Sequence, residues 1–147
     1  ETVVDAYCGA GTISLMLARK AQKVVGIEIV EPAIFNAREN AARNGISNAE
    51  FIVGASEEVL PELVAKGLAP DVIVVDPPRK GCEEPVLQAI IKAQPRRVVY
   101  VSCGAPTLAR DAKLLTEGGY KATAVQCVDM FCWTGAVETV MLFTKEN

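Results

Sequence analysis

Histidine is absent from the 147-residue sequence, which excludes catalytic triads that use histidine and metal sites that use imidazole ligands. The five cysteines are an odd number without a C-x-x-C pair, which argues against a disulfide scaffold or a zinc site made of cysteines alone. No apolar run has the length of a membrane span, and no basic-then-apolar leader opens the sequence. We therefore expect a soluble, cytoplasmic protein whose chemistry uses cysteine, aspartate, glutamate or lysine.

A strong positive charge is also missing. The net charge is −3, which argues against a strongly basic nucleic-acid binder. The charge is uneven, because residues 79–147 hold 7 acidic and 9 basic side chains. The basic side chains of this second half either contact a phosphate backbone or lie on a solvated surface, and the sequence favours neither interpretation.

Apolar runs rich in β-branched residues alternate with stretches of helical spacing. The runs lie at 2–7, 23–29, 49–54, 71–76, 96–103, 121–129 and 137–144, and the helical stretches at 12–22, 31–44, 56–67, 83–93 and 105–118. Continuous apolar strands that each precede a helix predict a parallel sheet covered on both faces. The last two runs have no helix between them and predict an antiparallel hairpin. The fold class is therefore α/β, with a doubly wound, mostly parallel, seven-stranded sheet whose last strand is antiparallel.

The turn after the first run, DAYCGAGT, carries the first candidate ligand residues. Gly9 and Gly11 allow a sharp turn and a close backbone approach to a ligand, at the strand ends where doubly wound sheets bind. Ser14 replaces the third glycine of a dinucleotide motif. Glu28, 19 residues past Gly9, can accept both hydroxyls of a ribose. The pattern suits S-adenosylmethionine, or is simply a tight turn with an exposed acid; Asp5 either fixes this loop or contacts the cofactor.

A second turn, VVDPPRKG, follows the fourth run. Its prolines stiffen the chain and remove two N–H donors. Asp76 stands where a methyl donor and its acceptor would meet. Similar turns occur in enzymes that methylate amino groups of bases, where an aromatic residue follows, but Arg79 follows here. The alternative is that the turn only ends a strand.

Two further residues are candidates for catalysis. Cys103 ends the fifth run, and exposure to a pocket and a helix N-terminus favours a thiolate, although an isolated cysteine is more often a small buried residue. Glu138 begins an apolar strand, where a carboxylate is either a general base or the partner of an arginine. Phe131 and Trp133 in the preceding loop either stack on a base or pack.

Four motifs occur in this order: D-x-x-C-G-x-G-T, D-P-P-R-K-G, S-C-x-x-x-T-L-A-R-D and M-F-x-x-T-x-x-V-E-T-V. Together they resemble the RNA 5-methyluridine (uracil-C5) methyltransferase family, whose members modify uracil in ribosomal and transfer RNA. The resemblance covers essentially the whole chain. It implies a Rossmann-like, S-adenosylmethionine-dependent methyltransferase fold, S-adenosylmethionine as the cofactor, an rRNA or tRNA substrate, and neither a metal nor a membrane partner.

The resemblance also implies residue roles. Cys103 is the implied nucleophile and Glu138 the implied base, while Arg110 and Asp111 have an expected structural role on the helix after the nucleophile. The candidate cofactor residues are Asp5, Gly9, Gly11, Glu28 and Asp76, and the candidate substrate residues are Asp76, Pro77, Arg79 and Phe131.

Larger members of that family also carry an N-terminal RNA-binding barrel and a central domain. Because Glu1 stands directly before the first strand, we interpret residues 1–147 as one catalytic domain, a fragment without those upstream parts.

Two loops depart from the family's usual pattern. After the nucleophile, Gly104 and Ala105 stand where the family has asparagine and proline, and near the base Cys132 and Ala136 replace proline and histidine. Two other hypotheses therefore stay open. One is a methyltransferase for a small molecule or an amino group, in which Cys103 is structural. The other is a module that binds the cofactor or RNA without turnover.

Overall fold

The computed structural model describes residues 1–145, in which strands and helices alternate as the apolar pattern predicts. The strands are β1 (Thr2–Asp5), β2 (Lys23–Glu28), β3 (Ala49–Val53), β4 (Val72–Val75), β5 (Arg97–Ser102), β6 (Tyr120–Val128) and β7 (Glu138–Lys145). The helices are α1 (Thr12–Ala18), α2 (Glu31–Arg43), α3 (Ser56–Ala65), α4 (Glu84–Ala93) and α5 (Ala105–Glu117).

The strands form one sheet in the order β3-β2-β1-β4-β5-β7-β6. The strands β1 to β5 are all parallel to one another, whereas β7 lies between β5 and β6 and is antiparallel to both. The predicted doubly wound sheet with an antiparallel last strand is confirmed. Its strand order reverses between β1 and β4, where open α/β sheets bind ligands beyond the carboxyl ends of the strands.

Helices pack on both faces of the parallel strands. Helices α3, α4 and α5 cover one face, and their side chains, such as Leu60, Ile90 and Leu115, form the larger core with the buried side chains of the strands. Helices α1 and α2 cover the other face through Leu15 and Ile34. The sheet is thus the middle layer of three, as its continuous apolar strands require.

The face that carries α1 and α2 is incompletely covered. Along β5, Val98 and Tyr100 face α3–α5 and are fully buried, whereas Val99 and Val101 point to the opposite side and stay half-buried. These two valines line an apolar groove of about 360 Å³ that also includes side chains of β1, β4 and β7. Strand β6 is exposed along 121–128, so neither of its faces is packed over that length.

Helix α1 is shorter than the predicted stretch 12–22 and ends at Ala18. The side-chain amide of Asn48 donates hydrogen bonds to the carbonyl oxygens of Ala18 at 2.8 Å and Ala21 at 2.9 Å. These carbonyls are therefore satisfied by a side chain from the loop before β3 instead of by another helical turn.

Candidate active site

The predicted site residues converge on one edge of the sheet. Gly9 follows β1, Glu28 ends β2, Asp76 follows β4 and Cys103 follows β5. Because β7 runs antiparallel to β5, its first residue, Glu138, lies at the same edge. The topology thus brings together motifs that are far apart in the sequence.

The glycine loop after β1 leaves space on its outer side. Gly9 and Gly11 have positive φ angles of 52° and 85°, which glycine adopts without strain. A Cβ at Gly9 would meet no atom within 4 Å, so the loop is open there to a ligand. A Cβ at Gly11 would lie 3.1 Å from the Cβ of Ala37 and would crowd α2. The absence of a side chain at Gly9 therefore leaves the loop open to a ligand, and the absence of one at Gly11 allows the loop to pack against α2.

Asp5 lies beneath this loop and is fully buried. Its Oδ2 accepts a hydrogen bond of 2.6 Å from the hydroxyl of Ser14, the residue at the third-glycine position. Burial raises the pKa of Asp5 from 3.8 to about 6. The observed contact fixes the loop, which is one of the two predicted roles of Asp5. A direct contact with a cofactor stays a prediction.

A pocket of about 350 Å³, large enough for a small-molecule ligand, lies between the ends of β2 and β4. Glu28 and Asp76 are in its wall. The backbone N–H groups of Gly9 and Val30 donate to the two carboxylate oxygens of Glu28 at 3.1 and 2.9 Å, which fixes the orientation of this carboxylate. Its remaining lone pairs can accept hydroxyl groups. The other lining residues are Tyr7, Ile29, Ala55, Ser56, Glu57, Pro78, Lys80 and Glu83.

Sequence reasoning missed several residues of this pocket. Ile29 is 65% exposed although it directly follows a buried strand, and an apolar residue at that position is a signal that could have indicated a ligand wall. Ser56 donates a hydrogen bond to the carbonyl oxygen of Ala6 and so ties the start of α3 to the glycine loop. No local pattern connects residues that lie 50 positions apart.

The D-P-P turn alternates its side chains in the same way as the strand before it. Asp76 is exposed, Pro77 is buried, and Pro78 is exposed and lines the pocket. The predicted substrate contact at Pro77 stays a prediction; in this structure Pro77 is buried, and Pro78 is the proline that is exposed in the pocket wall.

A second cleft, of about 460 Å³, contains Cys103. Its side chain is partly exposed, unlike the buried Cys8 and Cys82. The hydroxyl of Ser102 accepts a hydrogen bond of 3.0 Å from the N–H of Gly104 and holds the short loop that carries the cysteine. The other lining residues are Arg79, Gly104, Phe131, Thr134, Gly135 and Ala136. The predicted substrate residues Arg79 and Phe131 therefore share this cleft with Cys103.

The strand register relates Cys103 to Glu138. In the antiparallel pair of β5 and β7, Ser102 is opposite Thr139. Cys103 directly follows Ser102 and Glu138 directly precedes Thr139, so the two residues leave this strand pair at the same end. Both therefore lie at the edge of the sheet that carries the other candidate site residues.

Glu138 has surroundings that suit a proton acceptor. It is half-buried, and its Oε1 is buried without a hydrogen-bond partner among residues 1–145. Within that part of the chain no arginine lies at ion-pair distance, so the arginine-pair alternative has no support. Burial raises the pKa of Glu138, and the negative charge of Asp76 raises it further. Burial also raises the pKa of Asp76.

Helix α5 holds the D-P-P-R-K-G turn against the loop of Cys103. The hydroxyl of Thr107 donates to the carbonyl oxygen of Arg79 at 3.1 Å, and the guanidinium of Arg110 donates to the carbonyl oxygen of Lys80 at 3.0 Å. Buried Asp111 accepts the N–H of Cys82 at 2.8 Å. The structural role expected of Arg110 and Asp111 is confirmed. Sequence reasoning missed Thr107, although the spacing of these residues puts all three on one helix face.

The two aromatic residues of the β6–β7 loop differ in their surroundings. Phe131 lines the Cys103 cleft and is 40% exposed, whereas Trp133 is 104% exposed and packs against nothing. The packing alternative is therefore wrong for Trp133.

Within residues 1–145, no cluster of three or more histidine, cysteine, aspartate or glutamate side chains is arranged to hold a metal ion. None of the helices in that range combines the length and the apolar character that crossing a bilayer requires.

Comparison with known families agrees with this site. The family model described as tRNA (Uracil-5-)-methyltransferase matches residues 1–146. The chain belongs to this family.

Proteins named as RNA methyltransferases from several bacteria are similar over nearly the whole chain. An RNA methyltransferase of Clostridium acetobutylicum is 57% identical over 145 residues, which cover 99% of this chain and 32% of that protein. One of Halalkalibacterium halodurans is 54% identical over 147 residues, which cover 100% of this chain and 32% of that protein. The chain thus spans about a third of the length of these relatives.

A solved structure from the same family is also similar. The tRNA (uracil-54, C5)-methyltransferase of Pyrococcus abyssi, in complex with S-adenosyl-L-homocysteine, has a TM-score of 0.87 and 35% identity, and the match covers 98% of this chain and 34% of that one. NSun6 of Pyrococcus horikoshii, at 16% identity and a TM-score of 0.77, has a similar fold.

In this member of the uracil-5-methyltransferase family, the departures from the usual pattern lie around one cleft. Gly104 and Ala136 both line the Cys103 cleft, whereas Cys132 is exposed and donates a hydrogen bond of 3.8 Å to the carbonyl oxygen of Asp129. Two of the substitutions thus place smaller, apolar residues in the cleft wall where the family's usual pattern has polar ones.

Proposed function

We propose that this chain is the catalytic domain of an enzyme that transfers a methyl group from S-adenosylmethionine to C5 of a uridine in rRNA or tRNA, through a covalent bond between Cys103 and C6 of the uracil. The observation that carries the proposal is the strand pairing that brings Cys103 and Glu138 to the same end of β5 and β7, at the sheet edge where a pocket of small-molecule size lies. A metal-free mechanism is consistent with the absence of histidine.

The pocket between β2 and β4 fits the cofactor. The oriented carboxylate of Glu28 would accept the ribose hydroxyls, and the open side of Gly9 would admit the ligand close to the backbone. Asp76 would lie near the positive charge of the sulfonium. When bound, the cofactor supplies a methyl group that is activated by this sulfonium. The S-adenosyl-L-homocysteine complex of the Pyrococcus abyssi relative supports the assignment.

The thiolate of Cys103 attacks C6 of the uracil and forms an S–C6 bond, while the electron pair of the C5–C6 double bond moves toward C5 and O4. C5 would then be a strong enough nucleophile to take the methyl group that the bound cofactor supplies, and the bond between that methyl group and the sulfonium sulfur would break to leave S-adenosylhomocysteine. The carboxylate of Glu138 removes the proton that remains on C5, the double bond re-forms, and the S–C6 bond breaks to release the thiolate. Covalent catalysis of this kind divides one difficult step into easier ones.

The electrostatics of Glu138 support its role as the base. A carboxylate with an ordinary pKa accepts protons weakly near neutral pH, and both burial and Asp76 raise the pKa of Glu138. The buried Oε1 without a partner is free to accept a proton from the ring. To reach this site, a uridine must leave its base stack.

The test uses RNA that contains 5-fluorouridine. Because C5 then carries fluorine in place of the proton that the base must remove, the covalent adduct cannot break down and persists. We expect mass spectrometry to detect RNA bound to Cys103, dependent on S-adenosylmethionine. Cys103→Ala should lose the adduct and all turnover, whereas Cys127→Ala, which removes an exposed cysteine from β6, should keep both. With ordinary uridine RNA, Glu138→Gln should accumulate methylated adduct and lose roughly 10²- to 10⁴-fold in turnover.

Two results would contradict the proposal. Turnover that survives in Cys103→Ala would favour the alternative of a small-molecule or amino-group methyltransferase. Calorimetric binding of S-adenosylmethionine without any product would favour a non-catalytic module.

A further inference from the structure

Trp133 lies at the tip of the loop between β6 and β7, and its indole is surrounded by solvent. Its exposed fraction of 104% is that of a tryptophan without any packing partner. Tryptophan is highly buried on average in folded proteins, because its large apolar surface stabilises a core or an interface. A fully exposed indole beside a catalytic cleft therefore indicates a binding surface.

The backbone holds the indole in this position. Trp133 has a φ of 67°, in the left-handed region that side chains larger than glycine seldom adopt. Thr134 closes the turn, since its N–H and its hydroxyl both donate to the carbonyl oxygen of Phe131, at 3.1 and 2.7 Å. The same hydroxyl accepts the N–H of Ala136 at 3.2 Å. The turn that presents Trp133 is therefore internally hydrogen-bonded.

The loop that presents Trp133 is also a wall of the Cys103 cleft. Phe131 and Thr134, on either side of Trp133 in the sequence, both line the cleft. Trp133 is therefore part of the loop that forms this wall, and its indole is not among the side chains that line the cleft.

We infer that Trp133 is the stacking platform for the nucleotide next to the target uridine. The inference rests on the proposed function, because a uridine that enters the cleft leaves the adjacent base without its stacking partner. Aromatic side chains stack on unpaired bases of any sequence, since every base has a π face. The indole replaces the partner that the adjacent base has lost.

The position of Trp133 favours RNA over a protein partner. A protein or a second copy seated on this loop would cover the mouth of the cleft, through which the uridine of an RNA must enter. A single RNA strand can lie along the mouth and place one base inside. Arg79, which is exposed and lines the same cleft, offers a guanidinium to the phosphates of that strand.

The experiment uses Trp133 as its own reporter, because it is the only tryptophan of the 147-residue chain. The probes are two single-stranded RNA oligonucleotides that contain one uridine, flanked either by adenosines or by abasic sites. We expect the adenosine-flanked RNA to quench the tryptophan fluorescence and the abasic-flanked RNA to leave it nearly unchanged.

Affinities measured by anisotropy of labelled RNA give the second readout. Trp133→Ala should weaken binding of the adenosine-flanked RNA by about five- to 100-fold, with Trp133→Phe retaining most of the affinity. The abasic-flanked RNA should bind the native chain and Trp133→Ala equally weakly. It has no flanking base to stack on the indole, so removal of the indole costs no further affinity. Val125→Ala, which removes an apolar side chain that is 61% exposed on β6, is the matched control and should bind like the native chain.

The possible failures are distinguishable. If Trp133→Ala binds within twofold of the native chain, or if quenching is the same with abasic flanks, the stacking inference is wrong, while an adduct between Cys103 and 5-fluorouridine RNA still supports the proposed function. If the tryptophan results support stacking but no adduct forms, the proposed methyl-transfer chemistry is contradicted and the stacking inference is not. If the native chain binds neither RNA and forms no adduct, both proposals are overturned.

Discussion

At the scale of single residues, the two carboxyl groups Asp5 and Glu138 have a feature in common. Each has one oxygen that is buried without a hydrogen-bond partner among residues 1–145, and burial raises the pKa of both groups. Their surroundings differ, because Asp5 is sealed beneath the glycine loop whereas Glu138 is half-buried at the edge of the sheet. The same physical effect thus makes stability depend on pH at Asp5 and supports proton transfer at Glu138.

Asp5 should make the stability of the protein fall as the pH rises from 3.8 through about 6, its ordinary and its raised pKa. Between these values the folded state holds the proton more tightly than the unfolded state, so the folded state loses relative stability as the proton is released. Asp5→Asn is neutral throughout. Relative to the native chain, its free energy of unfolding should therefore improve by about 3 kcal/mol between pH 3.5 and pH 7, measured by urea denaturation. Asp129→Asn, at an exposed carboxylate, is the control; a parallel pH dependence for all three proteins would contradict the prediction.

At the scale of elements, α5 connects the loop that carries Cys103 to the D-P-P-R-K-G turn. Asp111 accepts hydrogen bonds from the N–H of Cys82, the hydroxyl of Tyr100 at 2.6 Å and the guanidinium of Arg110 at 2.8 Å. Because Asp111, Cys82 and Tyr100 are all buried, water cannot replace the carboxylate as the partner of this N–H and this hydroxyl. Asp111 therefore acts with Thr107 and Arg110 in holding the D-P-P-R-K-G turn.

Asp111→Ala should lower the free energy of unfolding by about 3 kcal/mol, because it leaves a buried N–H and a buried hydroxyl unsatisfied. Lys113→Ala, on the exposed side of the same helix, removes only a surface ion pair with Glu117 and should cost less than about 0.5 kcal/mol. Denaturant unfolding of both variants compares the two positions directly. Equal losses would show that the buried network does not stabilise the turn.

The elements also show how far the sequence could predict the structure. The apolar runs predicted all the strands, and the signal is strongest in β1, β2 and β4, which are buried along nearly their whole length. The early end of α1 could not be predicted, since it depends on Asn48, which is 30 positions from Ala18. The motifs predict roles for Cys103 and Glu138, but the placement of both residues at one edge follows from the insertion of β7 beside β5, which no local pattern specifies. The motif alone also does not tell that Pro78, and not Pro77, is exposed in the pocket wall.

At the scale of the whole molecule, the two faces of the sheet are covered unequally. Helices α3–α5 seal one face, whereas the apolar groove leaves part of the opposite face near β5 and β7 accessible to water. The catalytic edge is therefore supported by a rigid core mainly from one side. Neighbouring residues of β5 consequently differ in how much apolar surface they bury.

Val98→Ala should lower the free energy of unfolding by about 2 kcal/mol, because Val98 is fully buried and its truncation leaves a cavity. Val99→Ala should cost less than about 1 kcal/mol, since Val99 lies in the open groove and already contacts water. The two variants remove the same atoms from adjacent positions. The difference between their free energies of unfolding, measured by chemical denaturation, therefore reports how well each face of the sheet is covered. Similar losses for both would mean that the groove is closed in solution.

The insertion of β7 between β5 and β6 sets an order of events during synthesis. A ribosome that has made the chain as far as α5 has delivered every parallel strand, the pocket beneath the glycine loop and the sulfur of Cys103. Glu138, the proposed proton acceptor, is not yet made, and β6 has no neighbour with which to pair until β7 emerges from the exit tunnel. Under the proposed mechanism, a nascent chain at this point would hold the cofactor pocket and the nucleophile but could not complete a catalytic cycle.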